Sequence, residues 1–333
     1  MPSIIDESLA FGESALLVAA VAVPVGLACR FASRKQVPAL PAYRKGYSRW
    51  LGIDVAVMAF TCLVFRDAIA GALEPLGAFA FLAPDGPVDE LRFQLQYQRS
   101  TLVGLASLPL FAFAFHAWKS RSAAERPNPR FAADVAAGIF GWLVIAPATF
   151  AVHFAVIAIL QYLEIAPDEH PLKNRKLKSA LDVALFVAGA CVVAPVFEEM
   201  GYRRIIVPWS ARRVERSWIV MAFAAFASVA FATGSSRWGP RAVVLTMAGS
   251  MLAMGILSRY RPRFPVRPAS ALVATATLFG VIHSGVWPTP VPLVVLGLGL
   301  GWLVLRTKTA TAAIVAHGLF NAISAVQMLR GGP

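Results

Sequence analysis

Apolar residues in this chain come in blocks of roughly 16–25, the length a helix needs to cross a bilayer. That spacing constrains the fold more than any motif, because a chain inside lipid must satisfy every backbone polar group internally. The chain is 58% hydrophobic and only 15% charged, where a soluble domain is nearer half apolar and a quarter charged. The fold class is therefore all-α: a polytopic transmembrane helical bundle of about eight to ten spans. Candidate spans lie near 9–29, 51–72, 101–118, 132–162, 181–207, 218–233, 242–257, 270–286, 291–305 and 309–329. The block 132–162 is too long for a straight span, so either Pro147 kinks it or its end leaves the membrane.

Net charge is +13, which in a soluble chain would raise the question of nucleic acid. Here the basic residues sit in short loops between apolar blocks, so no nucleic-acid partner is expected and the bilayer is the partner instead. Arg30, Arg34 and Lys35 follow the first block, Lys119 and Arg121 the third, Arg212, Arg213 and Arg216 the fifth, Arg259 and Arg261 the seventh, and Arg306 and Lys308 the ninth. Basic loops after odd blocks place those loops in the cytoplasm and both termini outside. The loop after the fourth block mixes Glu164, Asp168 and Glu169 with Lys173, Arg175, Lys176 and Lys178 and departs from this pattern. Asp6, Glu7 and Glu13 before the first block are unlike a cleaved signal, so that block is expected to stay as a span. The Ala/Arg-rich composition points to a bacterial inner membrane. Cys29, Cys62 and Cys191 have neither zinc nor disulfide spacing and read as small buried residues.

Three regions follow. Residues 1–130 hold N-terminal spans, closed by a Pro- and Arg-bearing linker at 119–130. Residues 131–180 hold the long block and a loop. Residues 181–333 hold every chemical candidate.

The first candidate is Glu198-Glu199 at the end of the run Leu181 to Phe197. A charge at a helix centre in a bilayer costs roughly 2.5–3.5 kcal/mol, so a pair of acids there is either stabilised or used. Glu199 and Arg203 are four apart and share a helix face, which leaves Glu198 about 100° round and free for chemistry. The bland alternative is a helix end in headgroup water. His283 ends the run Leu278–His283, and His317 and Asn321, four apart, share a face. Single histidines such as these more often make bundle-interior hydrogen bonds; for His116 and His153 that is the reading adopted. Measured from the basic side, His317 lies roughly 12 Å in, Glu198 roughly 15 Å and His283 roughly 18–20 Å. Glu198, His283, His317 and Asn321 could thus meet inside the membrane, in a site open to the cytoplasm.

Such a set suits water activation: a carboxylate as general base, an imidazole on the same water, an imidazole and an amide on an oxyanion. Glu198, His283 and His317 would also serve as ligands for a divalent metal such as zinc. No His-Glu-x-x-His is present, and the cofactor is left open between none and that metal.

These residues resemble the CPBP intramembrane proteases, which include the CaaX prenyl endopeptidases of the Ras-converting type and relatives linked to bacteriocin self-immunity. Glu198-Glu199-Met200-Gly201-Tyr202-Arg203 matches the family's Glu-Glu-x-x-x-Arg. Phe279-Gly280-Val281-Ile282-His283 matches Phe-x-x-x-His, and His317-Gly318-Leu319-Phe320-Asn321 matches His-x-x-x-Asn. Leu296–Leu303 looks like the glycine-rich helix between the last two motifs. The resemblance implies Glu198 as general base and His283 as a group that binds or activates its water. It implies His317 and Asn321 as the oxyanion site, with Glu199 and Arg203 as structural support. The substrates it implies are membrane-associated proteins or peptides, prenylated CaaX-type chains among them. One departure is the long stretch between motifs one and two, which holds two extra blocks near 218–257. Two other readings compete: a non-catalytic membrane scaffold or immunity protein, and a haem-binding or transport protein that uses His283 and His317 as ligands.

Overall fold

The computed structural model describes residues 51–63, 65–82, 88–118, 130–166, 179–232, 247–252, 266–284, 286 and 288–330. The first expected span, 9–29, and most of the seventh, 242–257, lie outside them. The described residues are mostly helical, joined by short turns, with no strand among them, as an all-α bundle requires.

The helices are α1 (Gly52–Leu63), α2 (Phe65–Leu73), α3 (Val88–Trp118), α4 (Phe131–Tyr162), α5 (Ala180–Ser210), α6 (Val214–Ala232), α7 (Val266–Val281), α8 (Pro290–Thr307) and α9 (Thr311–Arg330). Among the described residues α4, α5, α8 and, over Thr311–Leu329, α9 are long and apolar enough to span a membrane, and α7 is a shorter apolar helix. These make the chain an integral membrane protein.

One boundary differs from the expectation. Helix α3 starts at Val88, not near 101, because its first turns are polar (Asp89, Glu90, Gln94, Gln96, Gln98) and hydropathy sees only the apolar remainder. The long block is a single helix that carries Pro147 in its interior. At 32 residues it measures about 48 Å, well beyond a hydrocarbon core of roughly 30 Å.

Helix α5 is the centre of the bundle and is irregular. A capping box opens it: Ser179 Oγ accepts from Asp182 N at 3.1 Å, and Asp182 Oδ2 accepts from Ser179 N at 2.9 Å. Two π-helical stretches follow, Gly189–Val193 and Met200–Ile206, with the regular turn Ala194–Glu199 between them. Such turns insert an extra residue and rotate everything downstream. Here they bracket the carboxylate pair.

Around α5, helix α4 packs against α8 and α9, and α7 lies between α6 and α8. Glycines permit the closest contacts. A Cβ on Gly297 would lie 3.0 Å from Ala276 Cα of α7, and one on Gly299 would lie 2.7 Å from Ile145 of α4. Small residues thus let backbones approach where lipid supplies no hydrophobic drive between helices. Helix α8 ends at Lys308, whose φ of 59° and N–H to Val304 O (2.7 Å) close the turn before α9 begins.

Candidate active site

The carboxylates of α5, the motif-two phenylalanine of α7 and the histidine of α9 meet at the bundle centre. Glu199 is fully buried, and its Oε1 receives two groups at once. Arg203 Nη1 stands 3.0 Å away and is itself 1% exposed. His317 Nδ1 lies at 3.0 Å. The arginine contact is an ion pair bent away from a straight hydrogen bond. Glu199 Oε2 has no hydrogen-bond partner among the described residues.

The acceptor Glu199 fixes the histidine. A carboxylate can only accept, so Nδ1 of His317 carries the proton and donates it. The other ring nitrogen, Nε2, then faces Glu198 Oε2 at 3.9 Å. That separation is too long for a direct hydrogen bond and short enough for one bridging water. Glu198 is 21% exposed where its neighbour is fully buried, so one acid has access to a solute and the other does not.

Phe279 is the platform beneath the site. Arg203 Cζ sits 4.3 Å from its ring centroid, a cation–π contact inside the bundle. Tyr202 meets its edge at 5.4 Å, His317 at 5.7 Å, and the ring of His283 lies 5.1 Å away. His283 sits in the turn that follows α7, and its Nδ1 donates to Phe279 O at 2.7 Å. That nitrogen therefore bonds the backbone of its own helix end and not a glutamate. Asn321 Nδ2 donates to Ala190 O at 2.8 Å, within the first π stretch of α5.

The six sequence candidates therefore divide. Glu198, Glu199, Arg203 and His317 form one connected cluster, His283 joins it through Phe279, and Asn321 is one turn further along α9, tied to α5. The metal set expected of Glu198, His283 and His317 is not gathered: no three His, Cys, Asp or Glu side chains converge on a common point among the described residues. The bond from His283 Nδ1 to Phe279 O turns the ring toward its own helix end and leaves Nε2 outside that bond. The Glu199–His317 bond was missed, although the adjacency of two acids opposite a histidine was the signal for it. Phe279 was read as a motif letter and not as the surface that carries three motifs. His116 lies outside the described side chains. His153 is half-buried on α4, beside Phe154 at a ring distance of 5.7 Å.

The extended stretch between motifs one and two contains α6, which packs along α7. It adds wall to the bundle without entering the cluster.

No curated protein and no solved structure matches the chain. A family model does, described as Type II CAAX prenyl endopeptidase Rce1-like, over residues 180–261 and 252–323. The first stretch contains Glu198 to Arg203, and the second contains both Phe279 to His283 and His317 to Asn321. The part of the chain that builds this cluster is thus similar to the Rce1-like type II CAAX prenyl endopeptidase family.

Proposed function

We propose that this protein is an intramembrane endopeptidase that hydrolyses peptide bonds of membrane-associated substrates, CaaX-type prenylated chains among them, with a water activated by Glu198. The observation that carries the reading is the 3.9 Å gap between Glu198 Oε2 and a His317 Nε2 oriented by Glu199.

Both atoms across that gap are acceptors, so a water between them directs one hydrogen to each and a lone pair outward. Attack on the scissile carbonyl forms the C–O bond, and Glu198 takes the water's proton as general base. The carbonyl oxygen becomes an oxyanion. Asn321 keeps one amide N–H after its bond to Ala190 O, and that donor suits the oxyanion. Collapse breaks the C–N bond, and the proton passes from Glu198 to the leaving amine. Arg203 and Glu199 move no proton in this scheme. They hold His317 in one tautomer and one orientation. No step is routed through a metal. The active site opens to the basic, cytoplasmic side of a bacterial inner membrane in this reading.

The test compares membrane and secreted peptides from cells that express wild type or Glu198→Gln at equal levels. New peptide ends only with wild type are the expected result and name the substrate. Identical peptide sets, with both proteins folded and abundant, would overturn the enzymatic reading in favour of a scaffold or immunity protein. Labelling of a single cysteine in the loop 211–213 from the cytoplasmic side tests the orientation.

A further inference from the structure

Ahead of the carboxylates, the π stretch Gly189–Val193 is gripped from two sides. On one side is α9. Asn321 Nδ2 donates to Ala190 O, and a Cβ on Gly318 would lie 2.5 Å from Cys191 O, so α9 rests directly on this backbone. On the other side is α3, which precedes the family-matched residues. Tyr97 Oη donates to Phe186 O at 3.3 Å, the carbonyl one turn before the π stretch. A Cβ on Gly189 would lie 2.6 Å from Tyr97 Oη and 2.7 Å from Tyr97 Cε1, and it would also strike Thr101 Oγ1. Next to Tyr97, Gln98 Nε2 donates to Asp182 Oδ1 at 2.6 Å, which ties α3 to the cap of α5 as well.

A π stretch has an inherent weakness. Its hydrogen bonds run to the fifth residue, so the ladder changes register and carbonyls near the change lose their regular partners. Reversion to α geometry would remove one residue from the turn and rotate the downstream helix by about 100°. Glu198 and Glu199 lie downstream, before the second π stretch. A rotation of that size would carry both away from His317.

We infer that Tyr97 is a positioning residue for the reaction, which holds the first π stretch of α5 in register and so keeps Glu198 and Glu199 facing His317. The inference rests on the peptidase reading for its catalytic consequence. The geometry of the π stretch does not depend on that reading. Tyr97 acts through Phe186 O and Gly189. The N-terminal helices thereby acquire a role in the chemistry.

Cys191 lies within the π stretch and is half-buried, so it reports the register without any need for substrate. The full-length protein, with Cys29→Ala and Cys62→Ala, is purified in detergent and reacted with a maleimide dye. Tyr97→Phe removes only the hydroxyl. Gly189→Ala forces the same contact apart from the opposite side. Both are expected to change the Cys191 labelling rate severalfold, in folded, monodisperse protein. In the same preparations, kcat for a fluorogenic prenylated CaaX peptide is expected to fall by about tenfold or more with KM within about twofold, as for a displaced base. Unchanged Cys191 labelling in both variants overturns the inference, whatever the activity. Changed labelling with wild-type kcat also overturns it, because the register would then not control the carboxylates. Changed labelling with a wild type that cleaves nothing leaves the register assignment standing and removes the peptidase reading.

Discussion

Two acid–arginine pairs occupy opposite surroundings in this molecule. Glu199–Arg203, at the bundle centre, is 0% and 1% exposed. Glu74–Arg99, which links the turn after α2 to α3, is 54% and 18% exposed. The regions around them differ in the same sense. Helices α5 and α7–α9 contribute most of a large buried core that includes Phe197, Tyr202, Phe279, Leu296, Leu300 and Phe320. The α2–α3 corner has a small one, built on Ala70, Phe79, Leu82, Leu95 and Val103 with Leu185. Chemically similar pairs should therefore count very differently. Inside the bundle no water replaces a lost partner, whereas at the rim water does.

The largest effect is expected at Arg203. Arg203→Ala leaves Glu199 as an uncompensated buried charge and removes the cation–π contact with Phe279, at about 3–5 kcal/mol of stability. Glu199→Gln should fall in the same range, because it strands the guanidinium instead. Glu198→Gln, next in sequence, should stay within about 0.5 kcal/mol of wild type, since that side chain is partly exposed and has no short bond. Unfolding of the three variants in detergent checks this. Equal losses at 198 and 199 would contradict the division between a working acid and a structural one.

A smaller loss is expected where α9 lies on α5. Gly318→Val drives a side chain into Cys191 O, a backbone atom that cannot swing aside. Overpacking of this kind costs about 1–3 kcal/mol. Because Asn321 hangs on the neighbouring carbonyl, activity should fall further than stability alone explains. Melting and peptide cleavage measured on the same sample would show whether the two losses separate.

Much of this arrangement could be read from residue order. The Glu199–Arg203 and His317–Asn321 spacings each put two groups on one helix face, and helix periodicity alone places them. The identity of the acid that pairs with His317 could not be read. It depends on how α5 is rotated against α9, and the π stretches at Gly189–Val193 and Met200–Ile206 set that rotation. Nothing in Gly189-Ala190-Cys191-Val192-Val193 announces an extra residue per turn, and the groups that meet this stretch, Tyr97 and Gly318, come from other helices. The polar start of α3 was hidden for a related reason. Hydropathy finds lipid-facing surface, while Gln98 and Tyr97 face another helix.

The peripheral region should respond in the opposite direction to a glycine change. Gly71, inside α2, has open space where a Cβ would point and an ordinary backbone conformation. Gly71→Ala should stabilise the protein by about 0.4–1 kcal/mol, through a less flexible unfolded chain and a better helix former. A loss of stability at Gly71 would mean that the α2 region is packed as tightly as the centre.

The smallest expected effect is the coupling between Glu74 and Arg99. The pair is close, and distance alone would suggest a strong bond. Exposure of the glutamate argues otherwise. Water solvates each partner when the other is removed, and ordering two long side chains offsets most of the attraction. Arg99 also lies 5.9 Å from the Phe79 ring centroid, so its truncation removes packing as well as charge. A double-mutant cycle with Glu74→Gln and Arg99→Met separates the two contributions. Arg99→Met alone should cost more than Glu74→Gln alone, because it loses the ring contact. The coupling between them should be about 0.2–1 kcal/mol and should shrink as salt is raised. A coupling of several kcal/mol that ignores salt would place this pair in the same class as Glu199–Arg203 and dissolve the contrast between rim and centre.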